Sequence, residues 1–414
     1  VQLLVVLAVA IVSRRAAAQS STATIETVRG PLSGSTRFIG LGGAFVAIAD
    51  DSEGVAINPA STALRVPYSW SMWDYGFGVD FAVGAWLPKN DLYNQSEGGD
   101  ASGKSSALFG SLAAVIYYGH GGFGVAAEAQ SNAASRQDQV QGVSRSLEAN
   151  FGLVHASLAY GFLDGQLLLG AGPRLVGMSF GKSESGSSSL SSAGMGYEVG
   201  VVVKPAVMQY RAAVAFKSPI TAKLPGAMGE PVNRAHVPWD VAFGFAYQFG
   251  PRPLNPPLVT PERFARAWVT NGKPSKADIE RADQALFERY QRLQRWYLLV
   301  STELSVAEAD GEHAGIEEYW TDGASDARPI ISPRIGIESE VVPHHLRLRA
   351  GSYYEPARIG RSPSRVHGTG GFDVRLFEWD VFGLIKPFDY WQLSIAADGA
   401  RSYLNTSFSI GFWH

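Results

Sequence analysis

From Val237 the chain reads VPWDVAFGFAYQF, with Val237, Trp239, Val241, Phe243, Phe245, Tyr247 and Phe249 falling on one parity and Asp240, Ala242, Gly244, Ala246 and Gln248 on the other. Side chains of a strand alternate between faces, so this is one strongly amphipathic strand. The same period governs Tyr210, Ala212, Val214 and Phe216; Met195, Tyr197, Val199, Val201 and Val203; and Trp391, Leu393, Ile395 and Ala397. Opposite each apolar row stands a row dominated by Gly, Ala and Ser with scattered ionisable groups. In a soluble sandwich the second face would be richly charged. A small-residue second face suits the inside of a closed barrel whose outside is lipid.

The connections keep a rhythm. Counting from Val79 gives about fourteen strands, an even number as bacterial outer-membrane barrels have. Long connections (89–104, 131–146, 181–192, 218–234, 308–331, 357–370) alternate with short ones (119–122, 163–165, 205–209, 343–345, 386–389). Long outer loops and short periplasmic turns predict that pattern. Trp239, Phe249, Trp296, Trp391 and Trp413 stand at strand ends, as interfacial girdles require. The last strand, TSFSIGFWH, puts Thr406, Phe408, Ile410, Phe412 and His414 on one face. It resembles the terminal signal of outer-membrane barrels, with His414 where Phe or Trp is usual. The fold expected is therefore all-β, a transmembrane antiparallel β-barrel over 78–414 in the outer membrane.

One segment breaks the rhythm. The connection 250–295 stands where a periplasmic turn belongs, yet it carries two helix signatures. Thr260 caps a helix with Pro261 at its first position. Ser275 and Asp278 form a capping-box start, and Ile279, Ala282, Leu286, Tyr290 and Leu293 make an apolar stripe. This periplasmic helical insertion reads either as a lid under the barrel or as a docking element for a periplasmic protein partner through 260–295.

Composition narrows the chemistry. Charged residues are 18%, glycines number 46 and cysteine is absent, which excludes thiolate metal sites and disulfides. The net charge of −3 gives no basic stripe for nucleic acid. No metal, cofactor or enzymatic activity is expected. The glycine motifs at 119–124 (GHGGFG) and 177–181 (GMSFG) fall in a hairpin and a strand, outside the settings that dinucleotide or nucleophile-elbow chemistry needs. The acidic run in 308–328 has no calcium-loop spacing. For a wall-borne hydrolase, His155 with nearby serines is the one faint candidate. VQLLVVLAVAIV, too short to cross a bilayer as a helix, followed by Ala16-Ala17-Ala18, reads as a signal peptide over 1–18.

Between that segment and the barrel lies RFIGLGGAFVAIADDSEGVAINPAST, 37–62. Ser35, Thr36, Arg37, Gly40, Gly42, Gly43, Ala44, Phe45, Ala47, Ala49, Asp50, Asp51, Asn58, Pro59, Ala60 and Leu64 match the N-terminal pattern of the FadL/TodX and PorV superfamily of outer-membrane proteins. The resemblance implies a fourteen-stranded barrel whose lumen is closed by an N-terminal hatch, here 19–77, gated at Gly40, Gly42, Gly43, Phe45, Asp50, Asp51, Asn58 and Pro59. It also implies passive uptake of hydrophobic small-molecule cargo, long-chain fatty acids or aromatic hydrocarbons, by a hatch-gated lateral route; the PorV branch implies instead a partner role in protein secretion. Phe45, Tyr68, Trp70 and Trp73 are the candidate ligand-binding aromatics. Arg334, Arg347, Arg349 and Arg375 face inward by parity and are candidate lumen charges to meet Asp50 and Asp51. Outer-membrane lipid is the remaining expected partner.

Overall fold

The computed structural model describes residues 23–26, 31–65, 72–84, 103–137, 144–183, 187–223, 232–269, 272–308, 313–315, 330–356, 364–378 and 390–413. Fourteen antiparallel strands close a barrel. In chain order these are β2 (Trp73–Val83), β3 (Gly103–Tyr118), β4 (Gly121–Gln137), β5 (Ser144–Phe162), β6 (Leu167–Ser183), β7 (Ser187–Val203), β8 (Tyr210–Lys217), β11 (Asp240–Phe249), β12 (Leu298–Ala307), β14 (Ile330–Val342), β15 (Leu346–Glu355), β16 (Arg365–Glu378), β17 (Tyr390–Ala400) and β18 (Tyr403–Trp413). Each pairs with its neighbour, and β18 closes the ring on β2. The wall begins at Trp73, slightly before the boundary read from the sequence.

Lipid explains the face assignment. Phe81, Leu112, Leu158, Leu169, Met195, Phe243, Phe245, Ile337 and Ile410 are all exposed, a continuous apolar belt that in water would be a liability. Asp80, Arg174, Glu198, Glu303, Glu338, Arg349 and Asp373 point inward and are buried. Trp413, expected in the outer girdle, is a correction: it is 4% exposed and lies inside, with the Arg347 guanidinium 4.0 Å above its ring. Strands β3 to β7 run 16 to 19 residues, longer than the roughly 9–11 that span a bilayer, so they stand proud of the membrane at the outer end.

A second sheet of four strands, in the order β13-β1-β10-β9, joins a segment ahead of the first barrel strand to segments between barrel strands. Here β1 is Ala23–Glu26, β9 Ile220–Lys223, β10 Val232–Val237 and β13 His313–Gly315. By barrel parity β9, β10 and β13 belong to outer loops, so the N-terminal strand lies at the outer end, parallel to both β10 and β13. The chain therefore enters the lumen from outside, traverses it over 31–65, and leaves at the periplasmic end to begin β2. The helices of the insertion form as their caps predict: Thr260 Oγ1 accepts from Arg263 N at α2 (Pro261–Ala265), and the Ser275–Asp278 capping box opens α3 (Lys276–Gln291). Leu293 falls beyond the end of α3.

Replacing outward Leu112, near mid-wall on β3, by Arg should cost about 2–4 kcal/mol of folding free energy in lipid vesicles, whereas Leu163→Arg at a periplasmic turn should cost about 0–1. Urea unfolding of the two variants measures the difference.

Candidate functional site: the hatch and the lumen around it

Residues 31–65 are short turns of helix and loop: α1 (Thr36–Gly40), capped by Ser35, and two 3-10 turns, Ser52–Gly54 and Pro59–Ala63. A segment so irregular bonds only part of its backbone internally, through its short turns, and a buried unpaired N–H or C=O is costly. The wall supplies the partners. Asp80 Oδ1 accepts from Thr36 N at 2.8 Å, and Glu303 Oε2 accepts from both Phe45 N (3.0 Å) and Val46 N (2.8 Å). Lys217 Nζ donates to Ala56 O at 2.7 Å, Thr369 Oγ1 to Gly40 O at 3.1 Å, and Leu32 N donates to the Tyr353 hydroxyl at 3.2 Å.

Charge anchors the same segment. Arg37 donates to both oxygens of Glu338 (Nε 2.9 Å, Nη2 3.1 Å) and to Asp50 Oδ1 (Nη1 2.6 Å). Glu338 also accepts from Arg349 Nε at 2.6 Å and from the Tyr297 hydroxyl at 2.8 Å, and Arg349 grips Asp373 through both terminal nitrogens. Arg37 is thus the hatch's charged link to a chain of buried ions on β14, β15 and β16. Its guanidinium lies 5.3 Å from the Phe45 ring.

Close approach to the wall is a matter of glycine. A methyl group on Gly200 would overlap Asn58 Oδ1; on Gly170, the Pro59 carbonyl; on Gly244, Val46; on Gly351, the Leu41–Gly42 peptide. These wall glycines face inward where the hatch backbone lies against them. Within the hatch, Gly42 (φ +60°) and Gly43 (φ +73°) adopt the left-handed conformation, and Gly42 also rests on the backbone of Ser352. Asn58 caps the second 3-10 turn, accepting from Ala60 N at 3.0 Å and donating to Val46 O at 3.2 Å, with Pro59 at the first position. The eight hatch residues singled out in the sequence therefore lie together in one segment, all buried except Asp51, which is half-buried.

The ligand aromatics do not. Phe45 is fully buried within the hatch against Phe38, and Trp73 is 61% exposed on the outer face, its ring 4.6 Å from that of Tyr118. Trp73 belongs to the outer aromatic girdle, because odd positions of β2 face lipid. Tyr68 and Trp70 lie outside the described residues. The lumen arginines also need correction. Arg334 meets Glu303 at 2.7 Å, Arg347 and Arg349 meet Asp373, and Arg375, half-buried, stacks on Tyr390. The carboxylate of Asp50 is met instead by Arg37 and, at 3.9 Å, by Arg211. Glu303, the one acid on the small-residue face of its strand, and Glu338, which shares its inward face with Glu340, were legible by alternation and were missed.

A cavity of about 80 Å³ lies beneath the hatch. Its roof is Arg37, Ile48 and the run Asp50 to Glu53, and its floor is Arg252, Pro253 and Leu254, the start of the insertion. That floor is tied inward: Arg211 donates to Asn255 Oδ1 (2.8 Å) and Leu254 O (2.7 Å). Glu340 holds both ends of the insertion, accepting from Arg252 Nη1 at 2.9 Å and Arg295 Nε at 2.8 Å. At its side the cavity reaches the closure of the barrel. Pairing of β18 with β2 stops at Gly411 and Gly78, although both strands continue toward the periplasm, and Phe77, Ile410 and Phe412, which face outward by parity, line the cavity there.

The serine near His155 is turned elsewhere. Ser157 Oγ donates to Glu198 Oε1 at 3.0 Å, and His155 Nδ1 meets the other oxygen of Glu198 at 2.9 Å. This is a carboxylate bonded by two neighbours.

A closed lipid-facing barrel with an N-terminal segment buried in its lumen defines an outer-membrane barrel fold. The chain is an outer-membrane β-barrel with the fold of the FadL and TodX channels. It aligns with a Pseudomonas aeruginosa FadL homologue at TM-score 0.52 and 13% identity, covering 93% of this chain and 97% of that one. A deletion mutant of the TodX monoaromatic hydrocarbon channel gives 0.56 and 13%, covering 93% and 99%, and the CymD monoaromatic hydrocarbon channel gives 0.50 and 12%, covering 92% and 96%. No protein-family model matches the chain, and no curated protein matches it in sequence.

One outcome tests the anchoring. Arg37→Ala leaves Glu338 and Asp50 without their shared cation, and breaking a buried pair costs about 3–5 kcal/mol; hydrogen exchange should show the hatch amides losing protection while the barrel keeps its own.

Proposed function

We propose that the protein is a channel for passive uptake of hydrophobic small molecules, long-chain fatty acids or aromatic hydrocarbons, with the hatch as its gate and a lateral exit through the wall. The observation that carries the reading is the filling of the lumen. The hatch is bonded to β2, β8, β12, β14, β15 and β16, so an open aqueous pore for hydrophilic solutes is not the design. The fold is shared with channels for monoaromatic hydrocarbons, which supports a cargo of that class.

The lateral exit has a physical basis at the seam of β2 and β18. Where the ladder ends at Gly78 and Gly411, the cavity beneath the hatch is bordered by Phe77, Ile410 and Phe412. An apolar solute leaving there passes from the lumen into lipid without crossing water, the favourable direction for apolar surface. Downward exit meets the Arg252–Glu340 and Arg211–Asn255 contacts instead.

A methyl on Gly411 would lie 3.4 Å from the Phe77 carbonyl, so the position accepts a side chain. Gly411→Phe should fill the seam side of the cavity and lower uptake of a labelled long-chain fatty acid or toluene into proteoliposomes by about tenfold, as expected when a route is blocked by more than 1.4 kcal/mol. Wild-type rates in a folded Gly411→Phe barrel would remove the seam from the route. Equal wild-type uptake of a hydrophilic sugar and of these solutes would contradict the hydrophobic cargo.

A further inference from the structure

The insertion leaves and re-enters the wall at the aromatic girdle. Tyr247 and Phe249 end β11 with ring centroids 4.7 Å apart, and Trp296, 56% exposed, packs on Gly250 just before β12. Its first helix stays at that level: Arg263 reaches Asp164 of the β5–β6 turn at 3.6 Å. Around this contact the periplasmic rim is apolar and open, with Leu163 at 70%, Val207 at 77% and Trp268 at 49% exposure. Trp268 is braced edge-on by Phe264 at 5.1 Å.

Charge accompanies the apolar surface. Between 261 and 276 stand Arg263, Arg266, Lys273 and Lys276 against Glu262 alone, and in space Arg263 faces Asp164 and Lys276 faces Glu280, which leaves Arg266 and Lys273 as the cations in excess. Aromatic residues with basic neighbours at the rim of a lipid-facing belt have the composition of an interfacial anchor, the rings at headgroup depth and the cations among phosphates. We propose that residues 261–269 and 272–276 dock on the periplasmic leaflet of the outer membrane and bind anionic phospholipid headgroups. Two observations choose lipid over a protein occupant: the surface is continuous with the lipid-facing belt through Trp296 and Leu163, and its charge is opposite to that of anionic headgroups. The consequence is mechanical. The same insertion supplies the cavity floor at Arg252 to Leu254, so a leaflet anchor fixes that floor relative to the membrane.

The chain contains no cysteine, so a single Ala267→Cys, at an exposed position beside Trp268, carries a nitroxide label specifically. The full-length labelled protein is placed in bilayer discs of phosphatidylethanolamine with phosphatidylglycerol, and separately of phosphatidylcholine alone. The proposal expects the label to be shielded from a water-soluble paramagnetic relaxant in the anionic bilayer, with loss of that shielding in phosphatidylcholine. It also expects the loss when Arg266, Lys273 and Lys276 are changed to Glu in a barrel that keeps its heat-modifiable gel shift. A label equally accessible in both bilayers overturns the proposal, and so does equal shielding in both, which removes the anionic preference. Shielding that appears only on adding periplasmic extract also overturns it and assigns the surface to a protein. Because the readout is the label's depth, each result stands apart from any result on solute uptake.

Discussion

Arg37 is the point on which the arrangement turns. It is a cation carried into a barrel lumen by an irregular segment, and it is stable there because Glu338 and Asp50 meet it with three hydrogen bonds. Buried ion pairs add little to stability against an apolar alternative, but leaving one partner alone is expensive. What such a pair fixes is position. With Arg37 bound to Glu338, α1, which packs on β16 and β17, is tied across to β14, and Arg349 and Asp373 extend the constraint to β15 and β16. A segment held by specific charges has one defined position in the lumen, which an oily plug would not have.

The glycines and the ions do complementary work. Inward glycines on β6, β7, β11 and β15 bring the hatch backbone into contact with the wall, and polar wall side chains such as Asp80, Lys217 and Glu303 then bond the peptide groups so exposed. The wall is thus apolar outside for lipid and, inside, small where the hatch touches and ionic where it needs partners. The insertion extends the same logic downward, with Glu340 gripping Arg252 and Arg295 so that one carboxylate closes both ends of a long connection.

Much of the fold was legible because membrane barrels obey a strict period. Strand alternation gave the wall and its facing, and the cap residues Thr260, Ser275 and Asp278 marked the two helices. The motif around Gly42, Gly43 and Asn58-Pro59 marked the hatch through its resemblance to a known pattern. What escaped was tertiary pairing. Parity shows that Arg334, Arg347 and Arg349 face inward, but not that Glu303 and Asp373 meet them while Asp50 is taken by Arg37 and Arg211. Trp73 and Trp413 were misplaced although parity settles both: Trp73 shares the lipid-facing parity of Phe81, and Trp413 stands on the face opposite Phe408 and Ile410. The crossing of the outer mouth by β1 left no local signal, since four residues that pair with distant loops look like any short extended segment.

The most direct test of the central claim is to purify the protein from outer membranes in mild detergent and identify by native mass spectrometry what travels with it. The account predicts a bound long-chain fatty acid or aromatic compound at a fixed stoichiometry. A stoichiometric protein partner with no hydrophobic small molecule would contradict it.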